Sequence, residues 1–168
     1  MTVEVGIEAE AWSEAVPSAA DIVGEAARVA LGVREAGEVA ILLTDDATIR
    51  SLNARFRATD APTNVLAFPA APNAQAALGD LALAFGVCDR EARAQGKPLA
   101  DHLRHLVIHG VLHLLGYDHH DDAEATAMES RERQLLAQLG VPDPYARDDV
   151  RDCAGDEAEL AKHGIGHG

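Results

Sequence analysis

Between residues 99 and 115 the chain sets Leu103, Leu106, Val107, Ile108, Val111, Leu112, Leu114 and Leu115 around nearly the whole circumference of one helix. A helix apolar on all sides has no face to give to water and belongs in the interior. The same helix carries His109 and His113, and the chain runs on through Leu-Leu-Gly116-Tyr-Asp to His119. Residues four apart are displaced by only about 40° around a helix axis, so the two imidazoles point the same way. Gly116 is suited to end the helix in a left-handed conformation and turn the chain back, bringing His119 to the same point. Three neutral imidazoles with a fourth position left for water describe a catalytic zinc site better than a closed structural one.

Other histidines compete for this reading. His105 stands four residues before His109, but no glycine turn returns a third ligand to that pair, so it reads as a packed or hydrogen-bonded neighbour. Asp118 has two readings, a carboxylate orienting a ligand or a turn cap. His120 reads as a surface histidine and His163 and His167 as solvated side chains. The spacing His-x3-His-x5-His also occurs in metzincin proteases, where a glutamate after the first histidine is the general base. Here that position is Gly110, which counts against peptide hydrolysis by that route.

At 168 residues the chain reads as one domain with a proper core, from 1 to 142, and an acidic, aperiodic tail from 143 to 168. Cys88 and Cys153 have no paired spacing, and neither a secretory signal nor an apolar run of about 20 residues is visible. These features predict a reduced, cytoplasmic protein with no membrane partner. The net charge of -14 argues against a simple polyanion binder. Base is nevertheless clustered, with Arg50, Arg55 and Arg57 in one group and Arg90, Arg93, Lys97 and Arg104 in another, so a local positive groove is compatible with the acidic total. Aromatic residues make up only 4%, so platforms for stacking bases are sparse.

Alternation of Val3, Val5 and Ile7 with Glu4 and Glu8 predicts a first strand. Pro17-Ser18 opens a helix through Leu31, stopped by Gly32. A buried strand follows over 38–43, then a helix capped by Thr44-Asp45-Asp46 whose inner face is Ile49, Leu52 and Phe56. Strands over 65–68 and 79–85 are placed to form a hairpin across the polar turn at 70–77. Helices over 88–95, 99–115 and 121–139 complete the ordered chain. Strands first and helices late predict an α+β domain of about four strands, with the histidine helix at its centre.

Two segments resemble the YbeY family of bacterial endoribonucleases: His109-Gly-Val-Leu-His113-Leu-Leu-Gly-Tyr-Asp-His119, and the run from Leu52 to Pro69 containing Phe56-Arg57-Ala-Thr-Asp60-Ala-Pro-Thr63-Asn64. Gly79-Asp80 and Met128-Glu129 extend the likeness, which covers the first strand to Gly140. The resemblance implies a small mixed sheet and a single-strand-specific, metal-dependent endoribonuclease. It further implies action in ribosomal RNA processing at the 3′ end of 16S rRNA and in ribosome quality control, with the ribosome or its small subunit as partner. By position it implies that His109, His113 and His119 hold Zn2+ and that Arg57 and His109 are catalytic. A guanidinium suits that role because it binds phosphate oxygens bidentately and offsets developing charge. Thr63 and Asn64 read as structural. Two further functions fit the residues: a zinc-dependent peptide or amide hydrolase, and a zinc-stabilised ribosome-associated binding factor with little catalysis.

Overall fold

The computed structural model describes residues 2–32, 37–58, 61–71, 77–117 and 121–145. Four strands form one mixed sheet: β1 (Thr2–Ile7), β2 (Glu38–Thr44), β3 (Val65–Pro69) and β4 (Ala77–Ala84), in the order β1-β2-β4-β3. β1, β2 and β4 run parallel, and β3 returns antiparallel along the edge of β4, the hairpin pairing that the sequence suggests. The α+β class and the mixed sheet are as expected. The one addition is α1 (Glu10–Ala15), while α2 (Ala19–Leu31) and α3 (Asp46–Arg57) stand between the first three strands where the sequence places helices, so the strands do not all come first. Parallel neighbours require such crossover connections. Three helices follow β4: α4 (Phe85–Ala94), α5 (Leu99–Leu114) and α6 (Asp122–Gln138).

The short helix α1 has no signal in the sequence, since six residues give no periodicity to read. Its Trp12 is fully buried, donates Nε1–H to the Thr44 carbonyl at 2.9 Å and meets Phe85 edge to face. Helix starts and stops elsewhere follow local chemistry. Asp45 and Asp121 accept the backbone N–H of Thr48 and Glu124, each at 2.8 Å, as N-caps. α4, α5 and α6 each end on a glycine with positive φ, Gly96, Gly116 and Gly140. Each ending makes the paired backbone bonds of a Schellman motif, for α5 Gly116 N–H to the His113 carbonyl and Tyr117 N–H to that of Leu112.

Strand alternation divides the interior in two. Val39, Ile41, Leu43, Leu81, Leu83 and Ala67 face α2 and α5 in the main core, while Leu66, Ala82 and Ala84 face Ile49 of α3 on the other side. α5 is buried along its length, as its all-round apolarity demands. Gly110 explains how closely it sits, because a Cβ there would stand 2.8 Å from Leu81 Cδ2. Phe56 departs from expectation. The α3 stripe is buried at Ile49 and half-buried at Leu52, but Phe56, beside Phe68 of β3, is 60% exposed. Among the described residues no helix is long and apolar enough to cross a membrane.

The β3–β4 pair closes on Gly79, whose φ is 142° and whose Cβ, if present, would collide with the Phe68 carbonyl and with Leu114. Gly79→Ala is therefore expected to cost about 3 kcal/mol or more in urea denaturation. Gly32→Ala, also at positive φ but with open space around it, should cost only about 1–2 kcal/mol. Equal losses at the two positions would contradict the close approach.

Candidate metal centre and cleft

Four histidines descend one side of α5, and two carboxylates meet them, the first half-buried. His102 Nε2 lies 2.9 Å from Glu91 Oε1 of α4, and the same oxygen accepts Asn64 Nδ2 at 3.1 Å. Asn64 is 2% exposed; its Oδ1 also accepts the N–H of Val65. It clips the start of β3 to α4, which agrees with a structural reading.

The second carboxylate is Glu132 of α6, wholly buried. Its Oε1 lies 2.6 Å from His105 Nε2 and accepts the Tyr145 hydroxyl at 2.9 Å, and its Oε2 lies 3.1 Å from His109 Nδ1. Burial alone would raise the pKa of this carboxyl. The charge available on His109 and the hydrogen bonds from both imidazoles outweigh that and hold it well below the usual carboxylate range. Burial, then the Glu132 charge, pushes the Tyr145 phenol far above its ordinary range, so it stays a donor. An ionised carboxylate can only accept, which assigns the protons to His105 Nε2 and His109 Nδ1. His105 Nδ1 meets no hydrogen-bonding group among the described residues.

His105 is thus the hydrogen-bonded neighbour anticipated for it. With its Nδ1 proton directed at a carboxylate, His109 carries its lone pair on Nε2, the arrangement by which a carboxylate orients a metal-binding imidazole. The His109 and His113 rings are 4.7 Å apart between centroids, against 6.4 Å for His105 and His109. The first pair is the closer one, and two imidazoles on consecutive turns suit zinc, nickel, copper or iron. Gly116 ends the helix, and Tyr117 packs back onto the core. Asp118, His119 and His120 lie outside the described residues, and no group of three ligating side chains is assembled among those described.

Arg57 ends α3. Its Nη2 donates to the Ala67 carbonyl of β3, and its guanidinium lies 5.6 Å from the centroid of Phe68. α5 packs on β3, so this edge strand separates Arg57 from the histidine helix. The next residue, Ala58, is the one non-glycine with positive φ among the described residues. Asn53 supports the turn by donating to the Ala61 carbonyl at 2.9 Å. The other basic group is largely neutralised by its neighbours: Arg90 pairs with Asp46, Arg93 with Asp89 and Arg104 with Asp101. Gly110 faces the sheet and leaves no room at its position for the carboxylate a metzincin places there.

Glu132 was missed from the sequence, although a signal existed. Met128, Glu132, Leu135 and Leu136 form the buried stripe of α6. A lone acid on such a stripe needs a buried donor, and a helix carrying four histidines supplies one. Beyond Pro142, where the sequence places the edge of the domain, Asp143 pairs with Arg133 at 3.1 Å and Tyr145 reaches Glu132.

Residues 2–140 match the family model described as Endoribonuclease YbeY. An Endoribonuclease YbeY of Paramagnetospirillum magneticum (strain AMB-1) is 49% identical over 159 residues, covering 86% of this chain and 97% of that one. One of Rhodopseudomonas palustris (strain BisB18) is 52% identical over 157 residues, covering 87% and 93%. The solution structure of TM1509 from Thermotoga maritima superposes with a TM-score of 0.56 at 26% identity, over 80% of this chain and 86% of that one.

Glu132→Ala strands three buried donors at once and is expected to cost about 3–5 kcal/mol in urea denaturation. Glu132→Gln keeps an acceptor oxygen and should lose less. An unchanged midpoint for Glu132→Ala would show that the carboxylate does not organise α5 against α6.

Proposed function

The chain belongs to the YbeY family of endoribonucleases, and from that premise we propose that it cleaves single-stranded ribosomal RNA at a zinc site held by His109, His113 and His119, with Arg57 on the scissile phosphate. Its work is 16S rRNA 3′-end maturation and ribosome quality control in the cytoplasm, in association with the small subunit. The endoribonuclease domain is read as 1–142, to which Asp143 and Tyr145 are tied, followed by an acidic segment to 168. The observation that carries the metal reading is the orientation of His109, with Nδ1 on Glu132 and the ring against His113.

A bound ion supplies Lewis acidity toward a phosphodiester oxygen or a water molecule. The remaining work falls to the chain's own groups. Glu132 holds the His109 tautomer and ring plane, a support typically worth about 10–100-fold in metal affinity. Arg57, with one N–H anchored on the Ala67 carbonyl, is preorganised to receive a phosphate rather than ordered at the moment of reaction. Gly110 carries no base, so the proton leaving the attacking oxygen would go to His120 or to a substrate group. A 2′,3′-cyclic phosphate on the product would identify the substrate's own 2′-hydroxyl as the attacker.

The test joins elemental analysis to cleavage of single-stranded RNA, with casein as the protease control. Wild-type protein should hold one zinc per chain and cut RNA but not casein. His113→Ala should lose both metal and RNA cleavage. Arg57→Ala should keep its zinc and lose about 10²–10³-fold in kcat. Equal cleavage by wild type and His113→Ala would reject the metal-centred nuclease.

A further inference from the structure

Phe56 is the most exposed large apolar side chain among the described residues, and its surroundings are not those of a stray surface residue. Its ring meets Phe68 edge to face at 5.7 Å, and the Arg55 guanidinium lies 5.2 Å from its centroid. Arg57 lies in the same relation to Phe68. Two phenyl rings, one from α3 and one from β3, are thus flanked on either side by an arginine from the end of α3. Phe56, Phe68, Leu42 and Leu52 line a groove of about 780 Å³ on the sheet face that α3 leaves open. That is ample room for a nucleotide, since small-molecule pockets run to about 300–1,000 Å³.

Charge narrows the occupant. The chain carries a net charge of -14, yet α3 beyond its first turn carries only basic charges, Arg50, Arg55 and Arg57. Among the described residues no carboxylate pairs with Arg55, whereas the arginines of α4 and α5 are matched by Asp46, Asp89 and Asp101. Strand register sets Glu4, Ala40, Asp80 and Phe68 in one row across the open face. Glu4 and Asp80 repel a phosphate, so a polyanion's backbone is confined to the arginine edge and its apolar faces turn inward.

We propose that this groove seats an unpaired base of the RNA, stacked on Phe56, with the adjoining phosphates on Arg55 and Arg57. The assignment rests on the endoribonuclease reading above and adds its means of selecting single strands. An unpaired base has a face to offer an aromatic ring, whereas a duplex buries those faces in its own stack. Arg57 is also tied to β3, so the phosphate beside a base on Phe56 is held at the edge strand against which α5 packs from the other side.

Phe56→Trp makes the platform visible. Trp12 is the chain's single tryptophan and is fully buried, so an exposed indole at position 56 reports separately. Metal-replete Phe56→Trp protein is titrated with an uncleavable 2′-O-methyl single strand and with the corresponding duplex. The single strand should quench the indole and the duplex should not. Phe56→Ala should weaken single-strand binding about tenfold while metal content and thermal unfolding stay at wild-type values. Binding of the single strand, seen by anisotropy, without any indole quenching would overturn the platform, as would undiminished affinity in Phe56→Ala. Wild-type protein that cleaves no RNA would sink the functional reading itself, whereas wild-type cleavage with a silent indole sinks only the platform.

Discussion

A single buried carboxylate ties the histidine helix to the fold. Glu132 accepts from His105, His109 and the Tyr145 hydroxyl, so α5, α6 and the segment after α6 share one acceptor. Burying a charge costs several kcal/mol unless its partners are well placed, and breaking such a cluster costs more than its net contribution to stability. The gain lies elsewhere, in the fixed orientation of an imidazole whose ring lies 4.7 Å from that of His113. Tyr145 closes the cluster from outside the helix pair, and its ring stands edge to face with His105 at 5.8 Å.

The sheet contributes by proximity. Two glycines let the backbone approach its neighbours where a methyl group would crowd them: Gly110 brings α5 onto the Leu81 side chain, and Gly79 brings β4 under the Phe68 carbonyl and the Leu114 side chain. The first has a chemical consequence. A glycine packed against Leu81 occupies the position where a related histidine spacing elsewhere carries its general base. The second fixes the end of β3 on which Arg57 rests.

Much of this was legible in the residues. The all-round apolarity of 99–115 placed α5 in the interior, and the His109–His113 spacing gave the ring pair, because helix geometry alone decides both. The caps at Asp45 and Asp121 and the stop at Gly116 followed from local chemistry. What failed depended on tertiary partners. Phe56 has the right spacing for the inner face of α3, but nothing in the sequence says that a groove stays open between it and the sheet. Glu132 hides among the other acids of α6 until the opposing histidines are known. The Asn64–Glu91–His102 cluster joins three elements that no local pattern connects. Arg57 drew attention only through resemblance, since an arginine at a helix end is ordinary. His119 lies outside the described residues, so its part rests on the motif.

The most direct measurement is the protonation of the His109 ring by 15N NMR at about pH 8, above the usual imidazole range. With Glu132 as acceptor, Nδ1 should carry the proton and Nε2 should have the shift of an unprotonated nitrogen, and only Nε2 should move when zinc is added. A proton on Nε2, or zinc taken at Nδ1, would contradict the arrangement on which the site is built.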